Sequence, residues 1–214
     1  MELTKTLRYQ FLRYCAAAIL TLLFSSAIAN ADNALAGDPY QKVEHITADL
    51  LKIIGSHQSG YPDNQQQYFS ALSTLLDSAV DFKFIARSVM GSYSRAATPD
   101  QRALFMQKFR QGLVETYGRG LISYGNEKIV LVGRQPLKPD QKRLTVKQEI
   151  RSGDDVFPLQ YSMARKKTGE WMIINVTING INLGKTFRSQ FAQSAQRAAG
   201  DLNSVIDGWS SQAN

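Results

Sequence analysis

Cysteine is nearly missing: the 214-residue chain has one, Cys15. It lies in the segment read below as an export signal. The mature protein is therefore expected to have no disulfide, thiol nucleophile or cysteine metal site, and to be held by packing alone. Histidine is almost as scarce. His45 and His57 fall in or beside one expected helix, too far apart to share a turn or a metal-ligand spacing, and both read as partly exposed helix residues. Also absent are a G-x-S-x-G elbow, an H-E-x-x-H pair and a Gly-rich phosphate loop. Asp154-Asp155 is a carboxylate pair, but after Gly153 it reads as turn chemistry. No catalytic residue, metal site or cofactor is expected. An exported enzyme whose residues converge from distant positions stays open as an alternative.

Long apolar runs are missing too, with one exception. Residues 15–24 are continuously apolar apart from Thr21, preceded by Lys5, Arg8 and Arg13 and followed by the small-x-small triplets Ala27-Ile28-Ala29 and Ala29-Asn30-Ala31. This pattern predicts a cleaved signal peptide over 1–31, since the run is well short of the roughly 20 residues that cross a hydrocarbon core. The mature chain, 32–214, is then expected to be soluble, outside the cytoplasm, and a single domain with room for two lobes. Cleavage removes three basic residues and one acidic one from a formal charge of +7, and the chain stays basic. Outside a cell, acidic membrane surfaces or phosphate headgroups are the natural counterpart of such charge, although it also serves solubility.

Helical periodicity comes first along the chain. Val43, Ile46, Leu50 and Ile53 or Ile54 predict an amphipathic helix over about 40–57. Gly60-Tyr61-Pro62-Asp63 breaks it, and Phe69, Leu72 and Leu76 mark a second helix. Asp81 is placed to cap a short third helix that stops at Gly91. Thr98-Pro99-Asp100-Gln101 carries an N-cap, a first-turn proline and a capping-box partner. The period then changes: 127–134, 143–151, 156–166 and 170–178 are rich in β-branched and aromatic residues, with turn chemistry between them. Asn179-Gly180 makes a turn, after which Phe187, Phe191 and Ala195, then Leu202, Val205 or Ile206, and Trp209, return to helix. The expected fold is α+β: N-terminal helices, a four-stranded antiparallel curved sheet and C-terminal helices, with an apolar space between sheet and helices. Periodicity alone does not distinguish a hollow there from a filled core.

One ordered set of residues resembles a known family. Its first part is Val80-Asp81-Phe82, Ile85-Ala86 and Met90-Gly91, followed by Ala97 to Gln101, Phe105, Phe109, Leu113 and Thr116-Tyr117. Its second part is Gly169-Glu170-Trp171, Val176, Ile178, Gly180-Ile181 and the stretch from Phe187 to Phe191. Together they resemble the MlaC family of periplasmic phospholipid-binding proteins, also called toluene-tolerance proteins. The resemblance implies a periplasmic carrier that has no ATPase activity of its own. It would hold phospholipid acyl chains and exchange lipid with an outer-membrane lipoprotein complex and an inner-membrane ABC transporter bearing an MCE-domain subunit. The chain departs from the family where Asn175 and Asn179 replace frequently acidic residues and Asn182 replaces serine. That change bears on docking or headgroup preference, and a paralogue carrying another lipid, such as a hopanoid, stays open.

Size and energetics agree with such a carrier. A strand of eight or nine residues is roughly 28 Å long, enough for a lipid tail. Exposing about 30 methylenes to water costs on the order of 24 kcal/mol, whereas transfer from bilayer to an apolar pocket is nearly neutral. The expected lining from the sheet is Leu144, Val146, Ile150, Leu159, Tyr161, Met163, Ile174 and Val176, with Phe82, Ile85, Phe109, Leu113 and Tyr117 from the helices. Gln148 interrupts the apolar face, so it sits near the mouth or is hydrogen-bonded inside. Arg87, Arg95, Arg119 and Arg188 are candidates for headgroup or partner contact. A protein-interaction module with a solid core is the remaining alternative.

Overall fold

Asp38 and Pro39 begin helix α1 (Pro39–His57). The Asp38 carboxylate accepts from the backbone N–H of Tyr40 at 2.9 Å, and the proline occupies a position whose N–H would have no partner in any case. The computed structural model of the chain describes residues 37–125 and 127–209, so the export signal expected over 1–31 lies outside the described residues. A 3₁₀ turn (Gln58–Gly60) leads to α2 (Gln65–Ala79). Then come α3 (Phe82–Met90), the single-turn α4 (Tyr93–Ala96) and α5 (Pro99–Leu121).

The local signals act as their chemistry predicts. Asp81 caps α3 by accepting from the Phe84 N–H at 2.9 Å. Thr98 and Gln101 form a reciprocal capping box at the start of α5. Where α2 crosses α5, Gly118 is required: a Cβ there would lie 2.9 Å from Leu72 Cδ1. Beside it the Tyr68 hydroxyl donates to the Gly118 carbonyl at 3.0 Å.

The sheet has five strands, not four, in the order β1-β2-β3-β4-β5: β1 (Lys128–Val132), β2 (Arg143–Ser152), β3 (Asp155–Arg165), β4 (Trp171–Ile178) and β5 (Ile181–Asn182). All neighbours are antiparallel, and the sheet is curved and open. The fifth strand is only two residues long. Asn179 and Gly180, both with positive φ, turn the chain back so that Ile181 pairs with Ile178 before α6 (Leu183–Arg197) and α7 (Leu202–Asp207) follow. Because β5 covers only the end of β4, the rest of that edge is open. There Val80 forms a one-residue parallel bridge to Ile173, and the Asp81 N–H donates to the Ile173 carbonyl at 3.0 Å.

Three packed clusters result. In the helical cluster α3, α5, α6 and α7 bury Phe105, Phe109, Phe187 and Phe191, with Trp209 stacked against them. In the second, Tyr40, Val43 and Ala79 pack against Val146, Met163, Trp171 and Ile173 of the sheet. The third joins α1, α2 and α5 through Ile54, Tyr68, Leu72 and Val114.

Candidate functional site

A domain of this size ordinarily has one contiguous core. Here the three clusters share only partly buried residues: Leu76 lies against both the helical and the α1–α2–α5 clusters, and Val80 against both the helical cluster and the sheet. Half-buried apolar side chains pack against them: Leu113, Tyr117 and Leu183 against the helical cluster, and Tyr161 and Val176 against the sheet cluster.

Tyr161 is the informative member. Burial pushes its hydroxyl up to about 12, so it lies deep in the molecule, yet the side chain keeps accessible surface. Depth combined with partial accessibility sets Tyr161 apart from the fully covered core residues. Tyr117 adds to this, because its hydroxyl is buried without a hydrogen-bond partner and its pKa is raised by the same desolvation.

The expected lining residues divide into two groups. Ile85, Leu113, Tyr117, Leu144, Ile150, Tyr161, Ile174 and Val176 are half-buried. Phe82, Phe109, Val146, Leu159 and Met163 are buried. Phe109 belongs to the helical cluster, its ring centroid 5.4 Å from that of Phe187, and Val146 and Met163 are packed beneath α1. The sheet face was legible as far as β3, where Leu144 faces Met163, Val146 faces Tyr161 and Gln148 faces Leu159. In β4 the alternation fails. Asn175 pairs with Ser162 but Ile173 with Met163, leaving Ile174 as an extra residue in a bulge. The inward set is therefore Trp171, Ile173 and Val176, and Ile173 takes the core position that simple alternation gives to Ile174.

Gln148 is inside and satisfied: its side-chain nitrogen donates to Thr47 Oγ1 at 3.0 Å. Each histidine donates from Nδ1 to the carbonyl four residues earlier, His45 to Gln41 and His57 to Ile53, both at 2.8 Å. Asp154 and Asp155 lie at the exposed β2–β3 turn. Among the described residues no cluster of three His, Cys, Asp or Glu side chains could hold a metal ion, and no helix is long and apolar enough to cross a membrane.

The candidate arginines separate as well. Arg87, Arg95 and Arg188 come together at one groove outside α3. Arg119 is elsewhere, in a groove between α2 and α5, 3.6 Å from Glu115.

Against known families, the model described as MlaC protein matches residues 44–211. The chain belongs to the MlaC family. The toluene tolerance protein ttg2D of Pseudomonas putida is 37% identical over 177 residues, 81% of this chain and 80% of that one. The intermembrane phospholipid transport system binding protein MlaC of Haemophilus influenzae is 23% identical over 168 residues, 77% of this chain and 78% of that one. A solved structure of a phospholipid-binding protein from Ralstonia solanacearum, in complex with a phospholipid, matches with a TM-score of 0.70 at 22% identity, covering 79% of this chain and 93% of that chain. That likeness establishes the fold.

Asn175, Asn179 and Asn182, the three positions expected to depart from the family pattern, lie close together in the structure. Asn175 Oδ1 accepts from the Gly184 N–H at 3.0 Å, and Asn182 Oδ1 caps α6 by accepting from the Lys185 N–H at 3.0 Å. Asn179 holds a left-handed turn position with φ 48°. The side chains of Asn175 and Asn182 and the backbone of Asn179 shape the β4–β5–α6 connection.

The depth of the tyrosines is measurable. Tyr161 and Tyr68 are both pushed up to about 12, chiefly by burial. The folded state therefore holds these protons while the unfolded chain releases them near pH 10, so stability falls as pH rises through the interval between 10 and 12. In a spectrophotometric titration followed at 295 nm, both tyrosines are expected to ionise only near pH 12 or together with unfolding. A full set of freely titrating tyrosines with the fold intact would contradict their depth.

Proposed function

We propose that this chain is an exported, periplasmic carrier of phospholipid that shelters the acyl chains in a hollow between helices and sheet. Family membership supports the class, and the observation that carries the hollow is Tyr161, deep yet accessible, set among three clusters that do not fuse. The half-buried belt of Leu76, Val80, Leu113, Tyr117, Val176 and Leu183 contacts the tails, and the headgroup stays outside. The protein binds without catalysis. Because tails reach water only at a cost of on the order of 24 kcal/mol, unloading takes place against docked partners. These are an outer-membrane lipoprotein complex on one side and an inner-membrane ABC transporter with an MCE-domain subunit on the other.

Denaturing mass spectrometry of the protein purified without added lipid tests this reading. Copurified phospholipid, near one molecule per chain, is expected. A chain that is lipid-free after purification and does not take up lipid from donor vesicles would sink it.

A further inference from the structure

Outside α3, on the face turned away from the helical core, lies an open groove of about 690 Å³. Three elements supply its cations: Lys83 and Arg87 come from α3, Arg95 from α4 and Arg188 from α6. The four-residue spacing puts Lys83 and Arg87 on one side of their helix. Gly91 brings in the distant member. It ends α3 with φ +58°, and a Cβ there would lie 3.0 Å from Arg188 Nε and 3.3 Å from Nη2, so the guanidinium rests directly against the turn. The groove shares no residue with the apolar belt around Tyr161.

Its charge is not balanced from within. Among the described residues Lys83, Arg87, Arg95 and Arg188 meet no carboxylate, and neither do other exposed cations such as Lys52, Lys128 and Lys138; what sets the four apart is that they line one concavity. The lining contains a single carboxylate, Asp81, and it is engaged as the cap of α3. Four like charges converging on one concavity raise the local concentration of anions. Guanidinium forks match phosphate oxygens in pairs, and the exposed hydroxyls of Ser88 and Ser92 add neutral donors. The concave shape suits a protruding group better than a flat charged surface does.

We propose that this groove is a phosphate site, separate from the apolar hollow, that takes the phosphodiester of a phospholipid headgroup at a membrane surface or of a free glycerophosphodiester. The test compares the mature chain with its Lys83→Ala/Arg87→Ala/Arg188→Ala variant. A control variant, Lys52→Ala/Lys128→Ala/Lys138→Ala, removes the same charge elsewhere. All six side chains are exposed, so both variants are expected to keep the parent melting temperature.

Cosedimentation with vesicles of phosphatidylglycerol and phosphatidylcholine probes the membrane source, and amide-shift titration with glycerophosphoglycerol probes the free one. The parent chain and the control are expected to bind at least one probe at low salt and to lose it at high salt. The groove variant is expected to lose about a hundredfold in vesicle affinity, roughly fivefold per basic residue. Binding to vesicles alone assigns the site to headgroups at a surface. Shifts in residues 83–95 and 188 with glycerophosphoglycerol alone assign it to a soluble phosphodiester. Binding of neither probe by the parent chain, or equal binding by the groove variant and the parent, overturns the proposal. Copurified lipid measured on the same samples reports on the hollow independently, and it is expected to be unchanged in the groove variant.

Discussion

Phe109→Ala is expected to lower the melting temperature by about 10–15 °C, the largest stability loss among the substitutions considered. Phe109 exposes no surface. Its ring meets Phe105 at 5.7 Å, Phe187 at 5.4 Å and Trp209 at 6.2 Å, so the side chain ties α5 to α6 and to Trp209 just beyond α7. Truncating a buried phenylalanine costs about 3–5 kcal/mol, because the cavity it leaves closes only partly. At this chain length each kcal/mol moves the transition by roughly 2–4 °C. Thermal unfolding followed by circular dichroism checks the value. A shift of only a few degrees would mean that the helical cluster is looser than its packing shows.

Val176→Trp is expected to reduce copurified phospholipid about fivefold or more while leaving the fold in place. Val176 is half-buried, lies opposite Tyr161 across the β3–β4 pair, and is among the residues proposed to contact the tails. On the proposed reading, added volume there takes up space meant for tails, and the partial exposure of Val176 leaves the larger ring room to turn outward. Met163→Trp is the contrasting case. Met163 has no exposed surface and sits beneath α1, so the larger ring must displace packed neighbours at a cost of about 1–3 kcal/mol or more. The pair of variants therefore separates lipid capacity from stability. Equal lipid content in folded Val176→Trp and the parent chain would remove Val176 from the lining.

How much of this was legible in the sequence follows the range of the interactions. Features fixed within a few residues were readable: the Asp81 cap, the Thr98–Gln101 box, the Asn179-Gly180 reversal and the alternating faces of β2 and β3. Gln148 was readable as an anomaly, and its partner Thr47, about a hundred residues away, was not. The fifth strand escaped because two residues carry no period. Asn182 moreover ends β5 and caps α6 at once. The bulge at Ile174 escaped because four consecutive residues from Trp171 to Ile174 are apolar, so either parity fits the composition. The separation of Arg119 from the other three arginines depends on how α3, α4, α5 and α6 pack, which no local pattern encodes.

The bridge at Val80 has a mechanical consequence. The helical and sheet clusters meet at Val80, where the backbone is joined by the bridge to Ile173 and the adjacent Asp81–Ile173 hydrogen bond, and the Asn175–Gly184 hydrogen bond ties β4 to α6 as well. On the proposed reading, the region around these ties is where helices and sheet are expected to shift against each other when cargo of differing thickness is held, while the two packed clusters keep their own contacts.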